Sequence, residues 1–192
     1  MDASPALRHA GGVPNDDLAA AIDRLEAESA IRALCARYCF AIDDHDLDAV
    51  GDLFTDDARV WSRDGVMEAR GRAAIVEQYR GRFAALGPSN HVSHDHWIRF
   101  GEDPDAATGL LSAHAELYRN GAPMVTALRY ADTYRRNEGT WRIAERELAF
   151  LYYVPLADYP GILGAKDRMR AYDQPADADY PERLPSWKDY RA

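Results

Sequence analysis

The stretch GLLSAHAELYRNGAPMVTALRYADTYR, residues 109–135, decides the fold. Apolar and polar residues alternate on both sides of Asn120-Gly121, a dipeptide suited to the positive φ angles of a two-residue hairpin turn. Residues 91–100 upstream carry the same period of two. Downstream, Asn137-Glu138-Gly139 turns the chain into a further run over residues 140–154, which Pro155 ends. Strands that follow one another through such short turns predict a four-stranded antiparallel meander.

N-terminal to the meander the period changes. Leu18, Ile22, Leu25, Ile31, Leu34, Tyr38 and Ile42 recur at steps of three and four, the stripe of a long amphipathic helix that Asn15 can cap. After Asp43-Asp44-His45-Asp46, a short helix is expected through Leu47, Val50 and Phe54, with Asp46 at its N-cap. Residues 58–62 and 66–69 read as a small hairpin turned by Arg63-Asp64-Gly65. Residues 72–86 read as a helix with Ile75, Val76, Tyr79 and Phe83 on its apolar side, and Gly87-Pro88-Ser89 breaks it. Helices and a hairpin followed by a meander predict an α+β fold, in which the helices cover one face of a curled sheet and enclose a pocket. Residues 1–14 form a lead-in without periodicity that is expected to be mobile, residues 15–156 the domain, and residues 157–192 a proline-rich, aromatic extension packing on its own or a neighbouring subunit.

Of the 192 residues, 47% are hydrophobic and 29% charged, the usage of a globular protein with a sizeable core. A net charge of -9 argues against nucleic acid and anionic membrane surfaces as partners. The chain carries no run of about 20 apolar residues and no signal-peptide layout, and Cys35 and Cys39 lie four apart in one helical pattern. These features predict a cytoplasmic protein with reduced cysteines.

Several side chains suit chemistry. Asp43 falls at the edge of the apolar stripe, where a carboxylate needs a donor partner. Strict alternation puts His91, Ser93, Asp95 and Trp97 on one strand face and Val92, His94, His96 and Ile98 on the other. Two readings follow. His94 and His96 are spaced to share a metal ion, or His91 faces the pocket as a general base, with Asp43 fixing its tautomer. His114 shares a strand face with Ser112, Glu116 and Tyr118, either a wet surface or a pocket wall. Arg146, in the last strand, suits an ion pair at the sheet surface. Tyr38, Trp61, Phe150 and Tyr152 are large side chains fit for either core or pocket lining.

The runs Ile31-Arg32-Ala33-Leu34 through Tyr38, Ala41-Ile42-Asp43, Leu53-Phe54-Thr55-Asp56-Asp57-Ala58 and Gly71-Arg72-Ala73-Ala74-Ile75 resemble the SnoaL-like branch of the nuclear-transport-factor-2-like superfamily. So do Tyr130-Ala131-Asp132-Thr133-Tyr134-Arg135-Arg136, Gly139 and Trp141-Arg142-Ile143, so the resemblance covers about residues 18–156. It implies a cone-shaped domain and homo-oligomers, trimers before dimers. It also implies activities ranging from dehydratases and dehydrochlorinases to isomerases, cyclases and non-enzymes. Asp43 and His91 match the aspartate and histidine of its scytalone dehydratase, hexachlorocyclohexane dehydrochlorinase and bile-acid 7α-dehydratase members. Tyr38 matches a tyrosine of the bile-acid enzyme, Arg146 an arginine of the dehydrochlorinase, and Trp61 a pocket tyrosine of scytalone dehydratase. His114 falls near a polar pocket residue. The resemblance implies cofactor-free, metal-free elimination of water, halide or formaldehyde from a small aromatic or polycyclic substrate, with catalytic His91, Asp43 and Tyr38. Trp61, His114, Arg146, Phe150 and Tyr152 would bind that substrate. An isomerase or cyclase in the same pocket, and a ligand-binding or assembly module, are the alternatives.

Overall fold

A computed structural model describes residues 15–191, and the mobility expected of residues 1–14 lies outside them. Helix α1 (Asn15–Asp43) and the short α2 (Leu47–Asp52) lead into β1 (Phe54–Ser62), β2 (Glu68–Arg70) and α3 (Arg72–Ala85). The meander follows as β3 (Leu86–Phe100), β4 (Ala106–Arg119), β5 (Ala122–Asn137) and β6 (Thr140–Pro155). The six strands form one curled sheet in the order β2-β1-β6-β5-β4-β3, with the helices over its inner face. Every neighbouring pair is antiparallel except β1 and β6, which run parallel. No helix among the described residues is long and apolar enough to cross a membrane.

Local chemistry explains most boundaries. The β4–β5 turn has positive φ at both Asn120 and Gly121, and the β5–β6 turn has it at Glu138 and Gly139. Asp46 caps α2 by accepting from the Ala49 N–H at 2.9 Å. Two expected boundaries move. Phe54 opens β1 instead of closing α2, and its carbonyl accepts from the Arg72 guanidinium at 2.8 Å. Gly87-Pro88-Ser89 does not break the chain into a loop: β3 begins at Leu86, pairing with Arg119, and its register is irregular until Ser89.

Packing also departs from the expected helical stripe. Leu18, Ile22 and Leu25 are exposed, and α1 enters the core only from Ala27 and Ile31 onward. The inner core gathers Ile31, Leu34, Ile42, Phe54, Val60, Ile75, Tyr79, Leu111 and Ile143, among others. A second, smaller cluster of Ala127, Tyr152, Val154 and Ile162 lies beneath the C-terminal extension. That extension packs on its own chain. Met169 bridges to Tyr153, and Arg168, 2% exposed, donates to the carbonyls of Leu151, Ala165 and Tyr180 and holds Glu182 at 2.7 Å. It ends in α4 (Pro185–Arg191).

Candidate active site

Asp43 is the last residue of α1, and Ser89 and His91 lie near the start of β3, so the helix end meets the strand start. The His91 Nδ1 is 2.6 Å from Asp43 Oδ1. The His91 backbone N–H donates to Oδ2 at 2.8 Å, and the Ser89 hydroxyl donates to Oδ1 at 2.7 Å. The side chains of His91 and Asp43 retain only 11% and 16% of their exposure. Burial pushes the Asp43 carboxyl upward, but the hydrogen bonds from His91 and Ser89 outweigh it and hold the group below the usual carboxylate range. An ionised Asp43 selects the Nδ1–H tautomer of His91 and leaves the Nε2 lone pair free to take a proton. A gap between these two residues would have suited a module without chemistry, and there is none.

Beside the dyad lies a charged aromatic nest. Arg146 and Asp132 are both fully buried and joined by two contacts, Nε–Oδ1 at 2.9 Å and Nη2–Oδ2 at 2.7 Å. The expectation of a surface ion pair at Arg146 is therefore corrected. Its guanidinium sits 4.2 Å from the Tyr38 ring centre and 4.3 Å from that of Tyr130, and its Nη1 has no hydrogen-bond partner among the described residues. Tyr38 and Tyr79 share a hydrogen bond of 2.8 Å. Burial raises the Tyr79 and Tyr130 phenols well above their ordinary range, so both stay protonated. Cys39 links the two groups: burial raises its thiol most, and the charges of Arg146 and Asp43 both act on it.

Of the residues read from the sequence, Asp43, His91, Tyr38, Arg146 and Phe150 lie on the inner side. Trp61, His114 and Tyr152 do not join them. Trp61 lies against Arg59 at 4.3 Å, in a cleft with Trp97 and Arg99. His114 bonds His94 at 2.7 Å, and the two line an outer-face cleft of about 420 Å³ with Tyr152 and Tyr159. Neither cleft includes Asp43 or His91. Within residues 91–98 the strand alternation fails between Ser93 and His96, where the register is irregular. His94 therefore stays outside while His96 turns inward, 8% exposed and 3.1 Å from the Tyr134 hydroxyl. The two histidines do not share a face, which removes the geometry on which a shared metal ion rested. Asp132 and Ser89 were missed by sequence reasoning, although Asp132 stands in the alternating set Leu128, Tyr130, Asp132, Tyr134, where an acid among large apolar residues signals a buried partner.

The inward turn of His96 makes a pH prediction. Burial drives its pKa down to about 4, against Asp132, which raises it. The unfolded chain takes up this proton near pH 6.5, the folded chain only near 4, so stability present above pH 6.5 is lost as pH falls between those values. The loss expected from this group is about 3 kcal/mol. Urea unfolding at stepped pH checks it: His96→Gln should flatten the slope between pH 6.5 and 4, and an unchanged slope would refute the assignment.

Residues 23–147 match the family model of the SnoaL-like domain. Among solved structures, the chain is similar to a hexachlorocyclohexane dehydrochlorinase, LinA type 2, at 19% identity and a TM-score of 0.65, over 71% of this chain and 93% of that one. A Novosphingobium aromaticivorans protein provisionally assigned as a scytalone dehydratase is similar at 20% identity and 0.66, over 70% and 91%. At such identities the likeness is one of fold. A Mycobacterium tuberculosis protein of unknown function is similar at 25% identity and 0.61, over 76% and 79%. No curated protein sequence matches the chain.

Proposed function

The chain belongs to the SnoaL-like domain family, and on that footing we propose that it is a cofactor-independent lyase acting on a small aromatic or polycyclic substrate. The observation that carries this reading is the 2.6 Å contact between His91 Nδ1 and an Asp43 carboxylate already held by Ser89 and the His91 backbone. His91 Nε2 takes a proton from an acidic C–H or O–H of the substrate. From a C–H, the electron pair released forms a C=C bond as halide leaves with its own pair, or as hydroxide leaves and takes the proton back from the His91 imidazolium to depart as water. From the O–H of a hydroxymethyl group, the pair forms the C=O bond of formaldehyde as the C–C bond breaks, and the carbanion left behind takes the proton back. Asp43 balances the imidazolium in each case. The buried Arg146, whose Nη1 has no hydrogen-bond partner among the described residues, supplies positive charge that favours negative charge developing on the substrate. Tyr38 positions that guanidinium through its ring face. Similarity to a dehydrochlorinase and to a protein assigned as a dehydratase supports elimination over ring closure.

The reading is tested by incubating the protein with small halogenated and hydroxylated aromatic or alicyclic compounds. Release of halide, water or formaldehyde is then followed against the His91→Ala variant. Release from at least one compound class that disappears with His91 is the expected result. Turnover that conserves the substrate's formula would instead mean isomerisation, and turnover unaffected by His91 would end the proposal.

We also propose that the protein is a homo-oligomer, trimer before dimer, working in a reducing compartment such as the cytoplasm, with Cys35 and Cys39 as free thiols. Support comes from exposed Val92, Trp97, Leu110 and Tyr118 on β3 and β4, and from β3 being an edge of the sheet. Light scattering should give about three times the 21.5 kDa chain mass. A stable monomer at micromolar concentration would overturn this. Trp97→Glu should shift the distribution toward monomer.

A further inference from the structure

At the open end of the sheet, five residues along β3 from His91, Leu86 pairs with Arg119. A cavity of about 190 Å³ lies there, between α3, the β1–β2 hairpin and Tyr172 of the C-terminal extension. Two guanidiniums line it. Arg82, half-buried, has the Met67 thioether, at 3.0 Å, as its one side-chain hydrogen-bond partner among the described residues. A thioether is a weak acceptor and no counter-charge. Arg119 lies over the rings of Tyr153 and Tyr172, at 5.4 and 5.1 Å, and makes no ion pair among the described residues. Asp64, a carboxylate whose charge acts on Tyr172, accepts at Oδ1 from the Ser62 hydroxyl and the Val66 N–H, and its buried Oδ2 has no hydrogen-bond partner among the described residues. A third polar group, the Gln78 side-chain oxygen, is buried on the same wall without a hydrogen-bond partner among the described residues.

These features oppose the rest of the chain. A protein of net charge -9 pairs most of its buried or half-buried arginines with carboxylates, as at Arg136, Arg146, Arg168 and Arg170. Partly desolvated guanidiniums without acceptors are costly, and two sharing one cavity also repel each other. An anion set between them would remove both costs, because the guanidinium fork matches carboxylate and phosphate oxygens. The Tyr153 and Tyr172 rings give a flat apolar wall beside the charges, and Gln78 offers an acceptor to a hydroxyl or N–H on the same ligand.

We propose that this cavity binds the anionic head of a small planar organic ligand, a carboxylate or phosphate group held by Arg82 and Arg119, with its body against Tyr153 and Tyr172. The site does not depend on the dyad performing elimination, and its test does not use turnover.

The experiment is isothermal titration of the full chain in low-chloride buffer, with sodium benzoate as one probe and inorganic phosphate as the other. Benzoate should bind saturably, near one per chain. Arg82→Gln and Arg119→Gln should each weaken it at least tenfold, while Arg99→Gln, over Trp97 on the outer face, should leave it unchanged. Phosphate binding with the same dependence, and none by benzoate, would keep the anion site and assign it to phosphate-bearing ligands. Absence of saturable binding by either probe, or binding indifferent to both arginine variants, overturns the proposal. Should the variants fail to fold, phenylglyoxal labelling of the wild-type chain decides. Benzoate or phosphate must slow modification of Arg82 and Arg119, and equal labelling with and without both anions overturns it.

Discussion

Replacing His91 with alanine is expected to lower turnover by about 10² to 10⁴-fold, the range general-base catalysis typically supplies. The substitution removes the proton acceptor and leaves the Asp43 carboxylate with the Ser89 hydroxyl at 2.7 Å and the backbone N–H of residue 91. The half-buried charge stays partly satisfied, and the fold should survive. Asp43→Asn is expected to cost a comparable factor for a different reason. An amide nearly preserves volume, but it offers its oxygen or its N–H₂ without preference for the Nδ1–H tautomer, and it balances no imidazolium charge. Since both changes disable one unit, the double variant should lose little more than either single one. Asp46→Asn, which touches only the α2 cap, should stay within roughly twofold. Rate constants for the four variants and the parent, with circular dichroism on each, settle the matter. Near-full activity in His91→Ala, or single losses that simply multiply, would move the base elsewhere.

The meander was legible because its turns carry their own chemistry. Asn120-Gly121 and Glu138-Gly139 adopt the positive φ values that glycine and asparagine tolerate best. The dyad was legible through the family pattern at Asp43 and His91, and the geometry then joined the two positions. What stayed hidden has a common physical origin. A period of two says which residues share a face, not which face the helices cover. Both faces here bury apolar side chains, the inner one under α1 and α3 and part of the outer one under the C-terminal extension. Tyr152, two residues after Phe150, looked like its neighbour, but a register irregularity opposite Ala127 and Leu128 lies between them, and Tyr152 packs with Val154 and Ile162 on the other side. The irregularity between Ser93 and His96 adds a second ambiguity, since one displaced residue exchanges the faces of everything after it. Ser89 was masked by its neighbours. A Gly-Pro-Ser run signals a turn, yet Pro88 is the third residue of β3, a strand at the sheet's edge, where a missing N–H costs no ladder bond.

Asp132→Asn is expected to destabilise the protein by about 3–5 kcal/mol, because it leaves the Arg146 charge buried and uncompensated. Against a total stability of about 5–15 kcal/mol, such a loss removes from about a fifth to all of it. The geometry makes the site stringent. Arg146 and Asp132 are 0% exposed, so neither water nor a side-chain shift replaces the partner. Asp132 also accepts from the Tyr134 hydroxyl at 2.6 Å, so one substitution disturbs three groups. Ring contacts from Tyr38 and Tyr130 stabilise the cation without neutralising it. Arg146→Met combined with Asp132→Asn removes both charges and keeps a long apolar side chain between the rings. That pair should recover much of the loss, since a buried ion pair exchanged for apolar packing is often close to neutral in stability. If Arg146 also serves the leaving group, the double variant will be stable and yet slow, which separates the residue's two roles. Urea titrations of the single and double variants, read beside their turnover, test both halves of the argument. A cost below about 1 kcal/mol for Asp132→Asn would mean that Arg146 finds another acceptor, and the charged nest beside the dyad would then be looser than the paired distances indicate.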